Sequence, residues 1–278
     1  DLKNDPTGAP LTEKFTRAYE YSDWWVEDSR LVALNARDAA ARGAQVMVRT
    51  RVTRAEREGD VWHVTLEDSD SGETREVQCA MLINAAGPWV KQVIDGVAHV
   101  ETRESVRLVR GSHIVVRKLF DHAFAYFFQL PDGRLFFAIP YRRDFTLIGT
   151  TDADHTGPLG GVHASQAEIA YLCEAINRHF RQPIAPSDVI WSYAGVRALV
   201  DDGSGKPEAA TRGYRLDLSR RREGAPLLSV YGGKITSYRH LAEDAVNMLS
   251  RRLPSLAGAR WTATRPLPGG DFPVDGLP

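Results

Sequence analysis

Hydrophobic positions along this chain change their period from stretch to stretch, and each change marks an element. Residues 225–249 (APLLSVYGGKITSYRHLAEDAVNML) show it most clearly. An apolar run over 227–231 reads as a buried strand that ends in Gly232 and Gly233. A helix follows from about Ile235 and Thr236. Its apolar positions Ile235, Tyr238, Leu241, Ala242, Ala245, Val246 and Leu249 recur at three and four, the spacing of one helix face. Upstream, residues 1–20 are polar, contain Pro6 and Pro10, and have no period, so they read as loop or extended chain. A helix is expected from Glu27 or Asp28, with Asp28 as N-cap. Leu31, Val32, Ala36, Ala39 and Ala40 form its stripe, and Gly43 sits where a C-cap glycine belongs. A strand is expected over 45–52. Two alternating runs, 61–67 and 74–78, flank a turn at 68–72 and read as a hairpin.

The segment AMLINAAGPWV (80–90) is a short strand, 81–83, that ends in Ala85, Ala86 and Gly87 before Pro88, which can begin a helix but not continue a strand. From 106 to 151 the runs RLVRGSHIVV, FAYFFQL, GRLFFAIPY and FTLIGTT predict an antiparallel meander rich in aromatics. Its aromatic runs fit a sheet packed on a core, with a membrane-facing patch as the alternative. Ser165 and Glu168 form a capping box. The helix behind it carries Ile169, Leu172, Cys173, Ile176 and Phe180 on one face and ends before Pro183. VIWSYAGVRALVDD (189–202) is a long strand, and SRRREG (219–224) reads as a solvated hairpin tip.

With 278 residues the chain is large enough for one or two domains with a sizeable core. It is 43% hydrophobic and 26% charged with a net charge of −1, so no global charge points to nucleic acid. Cys79 and Cys173 lie in apolar surroundings and read as core thiols of a reducing compartment rather than a disulfide or metal pair. No apolar run reaches the roughly 18 residues needed to span a bilayer. The sequence has no CxxC, HExxH, GxSxG, Walker or GxGxxG motif. Its histidines are scattered, which argues against a metal site.

Three features carry candidate chemistry. The turn at Gly232, Gly233 and Lys234 precedes a helix start, where unpaired N–H groups and the helix dipole favour an anion. Glycine lets ligand atoms approach the backbone there. The plain alternative is a strand-to-helix corner with a solvated lysine. Ala85, Ala86 and Gly87 end a strand in small residues, which suits either a ligand at the sheet edge or tight packing. Arg197 falls inside an apolar strand and needs an anionic partner. That partner is either a structural carboxylate or a substrate.

Together, NAAGPWVKQ (84–92), RLVRGSHIVV (107–116) with IGTTDAD (148–154), and SYAGVRAL (192–199) followed by YGGKITSYRHLAEDA (231–245) closely resemble the FAD-dependent, aerobic and membrane-associated glycerol-3-phosphate dehydrogenase family. EYSDWWVEDSRLV (20–32) fits it too. The resemblance implies a mixed α/β fold: a D-amino-acid-oxidase-like FAD-binding domain, here incomplete, interleaved with an antiparallel-sheet substrate domain. On that basis residues 20–103 and 206–268 belong to the FAD-binding domain and 104–205 to the substrate domain. The family's N-terminal GxGxxG unit and C-terminal helical domain have no counterpart here. By this resemblance the chain is expected to be the middle of a longer enzyme, to bind FAD weakly or not at all, and to be inactive by itself.

By the same resemblance Val52 lies near adenine, and Ala85, Ala86 and Gly87 line the FAD channel. Gly232, Gly233, Lys234, Ile235 and Thr236 face the pyrimidine end of the flavin. His113, Arg197, Arg212 and Lys234 gather around the substrate, with His113, Arg197 and Lys234 as the catalytic set. The implied reaction oxidises sn-glycerol 3-phosphate to dihydroxyacetone phosphate, with hydride passing to flavin and electrons to quinone. Arginine suits the phosphate dianion, a histidine of near-neutral pKa suits the hydroxyl proton, and Lys234 suits a flavin edge that becomes anionic. Whether Arg197 or Arg212 holds the phosphate stays open, as does whether His113 is the base or an orienting hydrogen-bond partner. The implied setting is cytoplasmic, peripheral on the inner face of the cytoplasmic membrane, possibly as a homodimer. An oxidase passing electrons to O₂, an amine or amino-acid oxidase of the same fold, and a non-catalytic domain are the alternatives.

Overall fold

The computed structural model describes residues 1–23, 25–102, 104–131, 133–201, 213–219 and 223–273. In chain order it contains α1 (Asp28–Ala41), β1 (Thr50–Glu58), β2 (Val61–Asp68), β3 (Thr74–Cys79), β4 (Leu82–Asn84) and α2 (Val90–Val93). There follow β5 (Val106–Arg117), β6 (Tyr126–Gln129), β7 (Leu135–Tyr141), β8 (Phe145–Gly149), β9 (Ala153–Asp154), α3 (Gln166–Asn177) and β10 (Trp191–Val200). The last elements are β11 (Tyr214–Leu218), β12 (Leu227–Gly232) and α4 (Tyr238–Ser250). The chain divides into two compact units, 1–22 with 107–211, and 23–106 with 212–278.

The first unit is a sheet in the order β10-β5-β8-β7-β6, with β9 also paired to β5. The predicted strands are present, but their order is not a simple meander. β6, β7 and β8 run antiparallel in succession, and β8 then closes on β5. Strand alternation divides the two faces of β5. Ile114 and Val116 join Phe136, Ala138 and Ile148 in a core against Leu172, Cys173 and Ile176 of α3. Leu2 and Leu11 are buried in the same core, so the first segment, which has no sequence period, is held by two apolar anchors. Phe136 has no exposed surface, and the aromatic runs here are sheet packing in large part, although Phe127 remains exposed.

The capping box at the head of α3 reaches further than a cap. Ser165 Oγ donates to Glu168 Oε2 at 2.7 Å, and the Glu168 N–H returns a bond to Ser165 Oγ at 3.2 Å. The other carboxylate oxygen accepts from Ser112 Oγ at 2.9 Å and Thr151 Oγ1 at 3.1 Å. The Arg110 guanidinium lies 3.0 Å away. One buried carboxylate thus ties α3 to β5 and to the chain leaving β8. Burial pushes this carboxyl up, but the hydrogen bonds from Ser165, Ser112 and Thr151 outweigh it and hold it below its ordinary value.

The second unit holds two three-stranded sheets, β1-β2-β3 and β11-β12-β4. The first is antiparallel, and its hairpin β2–β3 matches the sequence pattern. Trp62 is fully buried at its centre and donates its indole N–H to the Pro226 carbonyl at 3.0 Å. In the second sheet β11 and β12 form an antiparallel hairpin, while β12 and β4 run parallel with Ser229 opposite Asn84. The predicted hairpin tip 219–224 lies partly outside the described residues.

Three local expectations change. The strand expected over 45–52 begins instead at Thr50; Arg49 adopts φ +52°, which breaks extended backbone just before it. α1 forms, and Glu27 rather than Asp28 is its N-cap. Gly43 sits beyond its C-cap at φ +96°, with the Ala44 N–H returning to the Ala39 carbonyl. Its apolar stripe is not buried, and Val32 is 65% exposed. Three of the five stripe positions are alanines, which gain little by burial. α4 forms as predicted, but of its apolar stripe it buries only Ala245 and Leu249, against Leu228, and it also buries Glu243. Tyr238 and Val246 stay exposed, because a three-stranded sheet is narrower than the apolar arc of the helix.

Because the Glu168 carboxylate is buried and multiply bonded, Glu168→Ala is expected to destabilise the first unit by about 3–5 kcal/mol. Urea unfolding monitored by circular dichroism measures this, and a loss below about 1 kcal/mol would contradict the role given to the network.

Candidate active site

The face of the first unit's sheet turned away from α3 carries polar chemistry. Gly111 and His113 alternate onto it from β5, and Tyr193 and Arg197, four residues apart, project from the neighbouring β10. The His113 ring stacks on Tyr193 with centroids 4.9 Å apart and planes 5° from parallel. His113 Nδ1 is buried with no hydrogen-bond partner among the described residues. Burial, aided by the nearby Arg197 charge, lowers the imidazole pKa to about 4, so the ring is neutral at physiological pH and its pKa is well below the near-neutral value expected of the base.

Arg197 is pinned at both ends of its fork. Nη1 donates to Asp152 Oδ1 at 2.5 Å, and Nη2 donates to Thr150 Oγ1 at 3.1 Å. The structural carboxylate foreseen as one of two partners for this arginine is therefore present and is Asp152. The site is hollowed by glycine. A Cβ on Gly111 would lie 2.6 Å from Arg197 Nη2, and one on Gly149 would lie 2.0 Å from His113 Cδ2. Neither a guanidinium nor an imidazole could lie against these strands over any larger residue.

The second unit contributes a different structure. β4 and β12 are parallel neighbours, and residues 85–87 and 233–236 follow their C-terminal ends, the edge at which α/β sheets take ligands. Asn84 is buried and braces the first corner. Its Nδ2 donates to the Val90 carbonyl at 2.9 Å, and its Oδ1 accepts from the Ala86 N–H at 3.3 Å. At the second corner Gly232 and Gly233 hold φ of +70° and +98°, a conformation that only glycine adopts without strain. The Lys234 N–H donates to Ser237 Oγ at 3.2 Å, and a short 3₁₀ turn, Ile235–Ser237, leads into α4. The open space over Gly87, the glycine pair and the positive end of a 13-residue helix fit an anionic cofactor such as FAD.

The structure thus groups His113 with Arg197 in one unit, and Ala85, Ala86 and Gly87 with Gly232, Gly233, Lys234, Ile235 and Thr236 in the other. Val52 lies in β1, half-buried against the Trp62 core. Arg212 lies outside the described residues. Sequence reasoning gave no role to Asp152, Thr150, Tyr193 or Asn84, although all four fall within the segments that carry the family likeness. A signal was available for the floor, since glycine inside a strand marks close approach by another group, and Gly111 and Gly149 are both such glycines.

These features define an FAD-linked oxidoreductase fold, a mixed α/β structure of the D-amino-acid-oxidase type. Residues 3–239 match the FAD dependent oxidoreductase family (DAO), and the chain belongs to that family. It is 48% identical over 272 residues to D-erythritol 1-phosphate dehydrogenase of Brucella abortus, covering 98% of this chain and 54% of that protein. It is 46% identical to glycerol-3-phosphate dehydrogenase of Pseudomonas aeruginosa, covering 95% of this chain and 51% of that one. The crystal structure of glycerol-3-phosphate dehydrogenase from Bacillus halodurans complexed with FAD superposes with a TM-score of 0.76 at 28% identity, over 88% of this chain and 46% of that one. The chain spans about half the length of the curated relatives it matches. Among the described residues no helix is long and apolar enough to cross a membrane.

The pKa of His113 sets a pH dependence with a definite sign. Between its ordinary 6.5 and about 4, the unfolded chain takes up the proton and the folded chain does not. Its contribution therefore makes stability fall as pH drops through that window, by an amount on the order of 3 kcal/mol. Unfolding free energies measured from pH 7 to 4 should fall less steeply in His113→Asn than in the parent. Equal slopes would show that the imidazole is not held neutral.

Proposed function

We propose that this chain supplies substrate- and cofactor-binding parts of an FAD-dependent polyol-phosphate dehydrogenase that oxidises sn-glycerol 3-phosphate to dihydroxyacetone phosphate. The observation that carries the reading is the pairing, on one sheet face, of a seated guanidinium with a buried, neutral and unpartnered imidazole nitrogen. The unit containing 107–211 takes the substrate, corresponding to the expected 104–205. The unit containing 23–106 and 212–278 takes the cofactor, corresponding to 20–103 and 206–268.

Oxidising the C2 carbinol removes a hydride from carbon and a proton from oxygen. FAD, when bound, supplies the hydride acceptor. The chain's own residues do the rest. Three of the five N–H donors of Arg197 are not used by Asp152 and Thr150, and a phosphate dianion takes up such donors bidentately. The His113 imidazole, neutral before substrate binds, accepts the hydroxyl proton. A phosphate on Arg197 offsets the charge that helps to depress the His113 pKa, so substrate binding raises the proton affinity of the base. Residues 85–87 and 232–236 hold the cofactor, and Lys234 at the head of α4 places positive charge where its ring edge gains electrons. Arg212 adds a second cation for the substrate.

The family likeness also supports quinone as electron acceptor and a peripheral place on the inner face of the cytoplasmic membrane, as a homodimer. O₂ as acceptor is the competing reading there. A second substrate reading, D-erythritol 1-phosphate, is favoured by the 48% identity to the Brucella enzyme. It keeps the phosphate clamp and lengthens the polyol by one carbon.

Anaerobic stopped-flow reduction of the flavin in the full-length protein tests this. Glycerol 3-phosphate should reduce it rapidly, and amino acids should not. Faster reduction by D-erythritol 1-phosphate would move the assignment to the second substrate, and reduction by an amine or amino acid alone would overturn it. His113→Asn should slow reduction about 10²–10⁴-fold; near-normal reduction would remove histidine as the base.

A further inference from the structure

We propose that Asp152 is a positioning residue for anion binding: with Thr150 it holds the Arg197 guanidinium against the Gly111 backbone, so that its remaining N–H donors meet the substrate phosphate in one fixed orientation. The inference rests on the reading of Arg197 as the phosphate clamp.

Three observations support it. First, Asp152 Oδ1 and Thr150 Oγ1 engage the two terminal nitrogens of Arg197 separately, at 2.5 and 3.1 Å, so the plane of the guanidinium is set at two points rather than one. Second, the seat is cut to the group. A Cβ at Gly111 would come within 2.6 Å of Nη2 and 2.9 Å of Cζ, so the guanidinium occupies the space of a missing side chain. Third, the pair is graded in exposure. The Asp152 side chain is 14% exposed and that of Arg197 is 32% exposed, so the carboxylate is the more deeply set partner and the arginine side chain the more accessible one. A purely structural ion pair does not need its cation left open in this way.

The position of Asp152 is itself fixed by the fold. It follows Thr151, whose hydroxyl accepts from the Ser112 N–H at 2.9 Å and donates to buried Glu168. The chain on either side of the carboxylate is therefore anchored, by Thr151 before it and by the pairing of β9 with β5 after it.

Asp152 can influence an anion in two opposing ways. As a counter-charge it weakens phosphate binding, whereas as an orienting acceptor it strengthens it. The arginine side of the pair is partly open to solvent, which screens the Coulomb effect, while misplacing a binding group by about 1 Å can cost up to about 100-fold. Orientation therefore dominates.

The test uses the full-length, FAD-loaded protein with Asp152→Ala, Asp152→Asn and Arg197→Met. It measures steady-state kinetics with glycerol 3-phosphate, and the inhibition constant of inorganic phosphate. Asp152→Ala should raise both KM and the phosphate inhibition constant about tenfold or more. Asp152→Asn, which keeps an acceptor at the same place, should restore most of the loss. A lower KM in either variant would show that Asp152 acts as a counter-charge and would overturn the proposal. So would unchanged values, or a fall in kcat alone. Arg197→Met separates this from the underlying reading: normal KM and normal phosphate inhibition in that variant would remove the clamp itself. If Arg197→Met loses phosphate binding while Asp152→Ala does not, only the positioning role fails. Thermal melts of the flavin-loaded variants identify a misfolded protein, and Asp152→Asn, being nearly isosteric, keeps the comparison available if the alanine variant does not fold.

Discussion

A guanidinium that lies against a β-sheet needs a counter-charge and it needs room, and the first unit provides both around Arg197. The counter-charge is Asp152, at the end of the chain leaving β8. The room comes from Gly111, on the strand next to β10. Everything else on that face follows from this arrangement. His113 is two residues beyond Gly111, close enough for the arginine's charge to help to depress its pKa, and it lies over Gly149, which clears its ring in turn. The face behind is closed by α3, and Glu168 links that closure to Ser112 and Thr151, the immediate neighbours of Gly111 and Asp152. One buried carboxylate holds the frame, and a second, partly buried one seats the arginine on the opposite face.

Much of the fold was legible because local pattern and tertiary role agree. The β2–β3 hairpin, the α3 capping box and the strand-to-helix corner before α4 each follow from period and turn chemistry, and each is present. The expectations that changed involve effects at longer range. The start of β1 is shifted by one left-handed residue, Arg49, which carries no glycine to announce it. The stripes of α1 and α4 were read correctly as helix faces. How much of the α4 stripe is buried, however, depends on the breadth of the neighbouring sheet, which no helix period encodes.

The candidate site divides in the same way. His113, Arg197, Lys234 and the two corner segments stood out by residue type or by likeness. Asp152, Thr150 and Asn84 did not, because their importance lies in whom they meet. Asp152 is 45 residues from its arginine in sequence, and Asn84 looks like any polar residue at a strand end until its side chain is seen bracing residues 86 and 90. Of the two partners weighed for Arg197, the structural carboxylate is present as Asp152, and Asp152 and Thr150 leave three of the five guanidinium N–H donors unused.

Gly111 and Gly149 carry a consequence for how this chain can vary over evolutionary time. In most strands an alanine replacing a glycine is an improvement, since it lowers the entropy cost of ordering the backbone and adds a side chain to pack. Selection for stability alone would therefore tend to remove both glycines. At these two positions even a single methyl group would strike the imidazole or the guanidinium. The two strands are thus locally weaker than they need be, and the shape of the floor is a standing compromise between a sturdier sheet and one with room for the imidazole and the guanidinium.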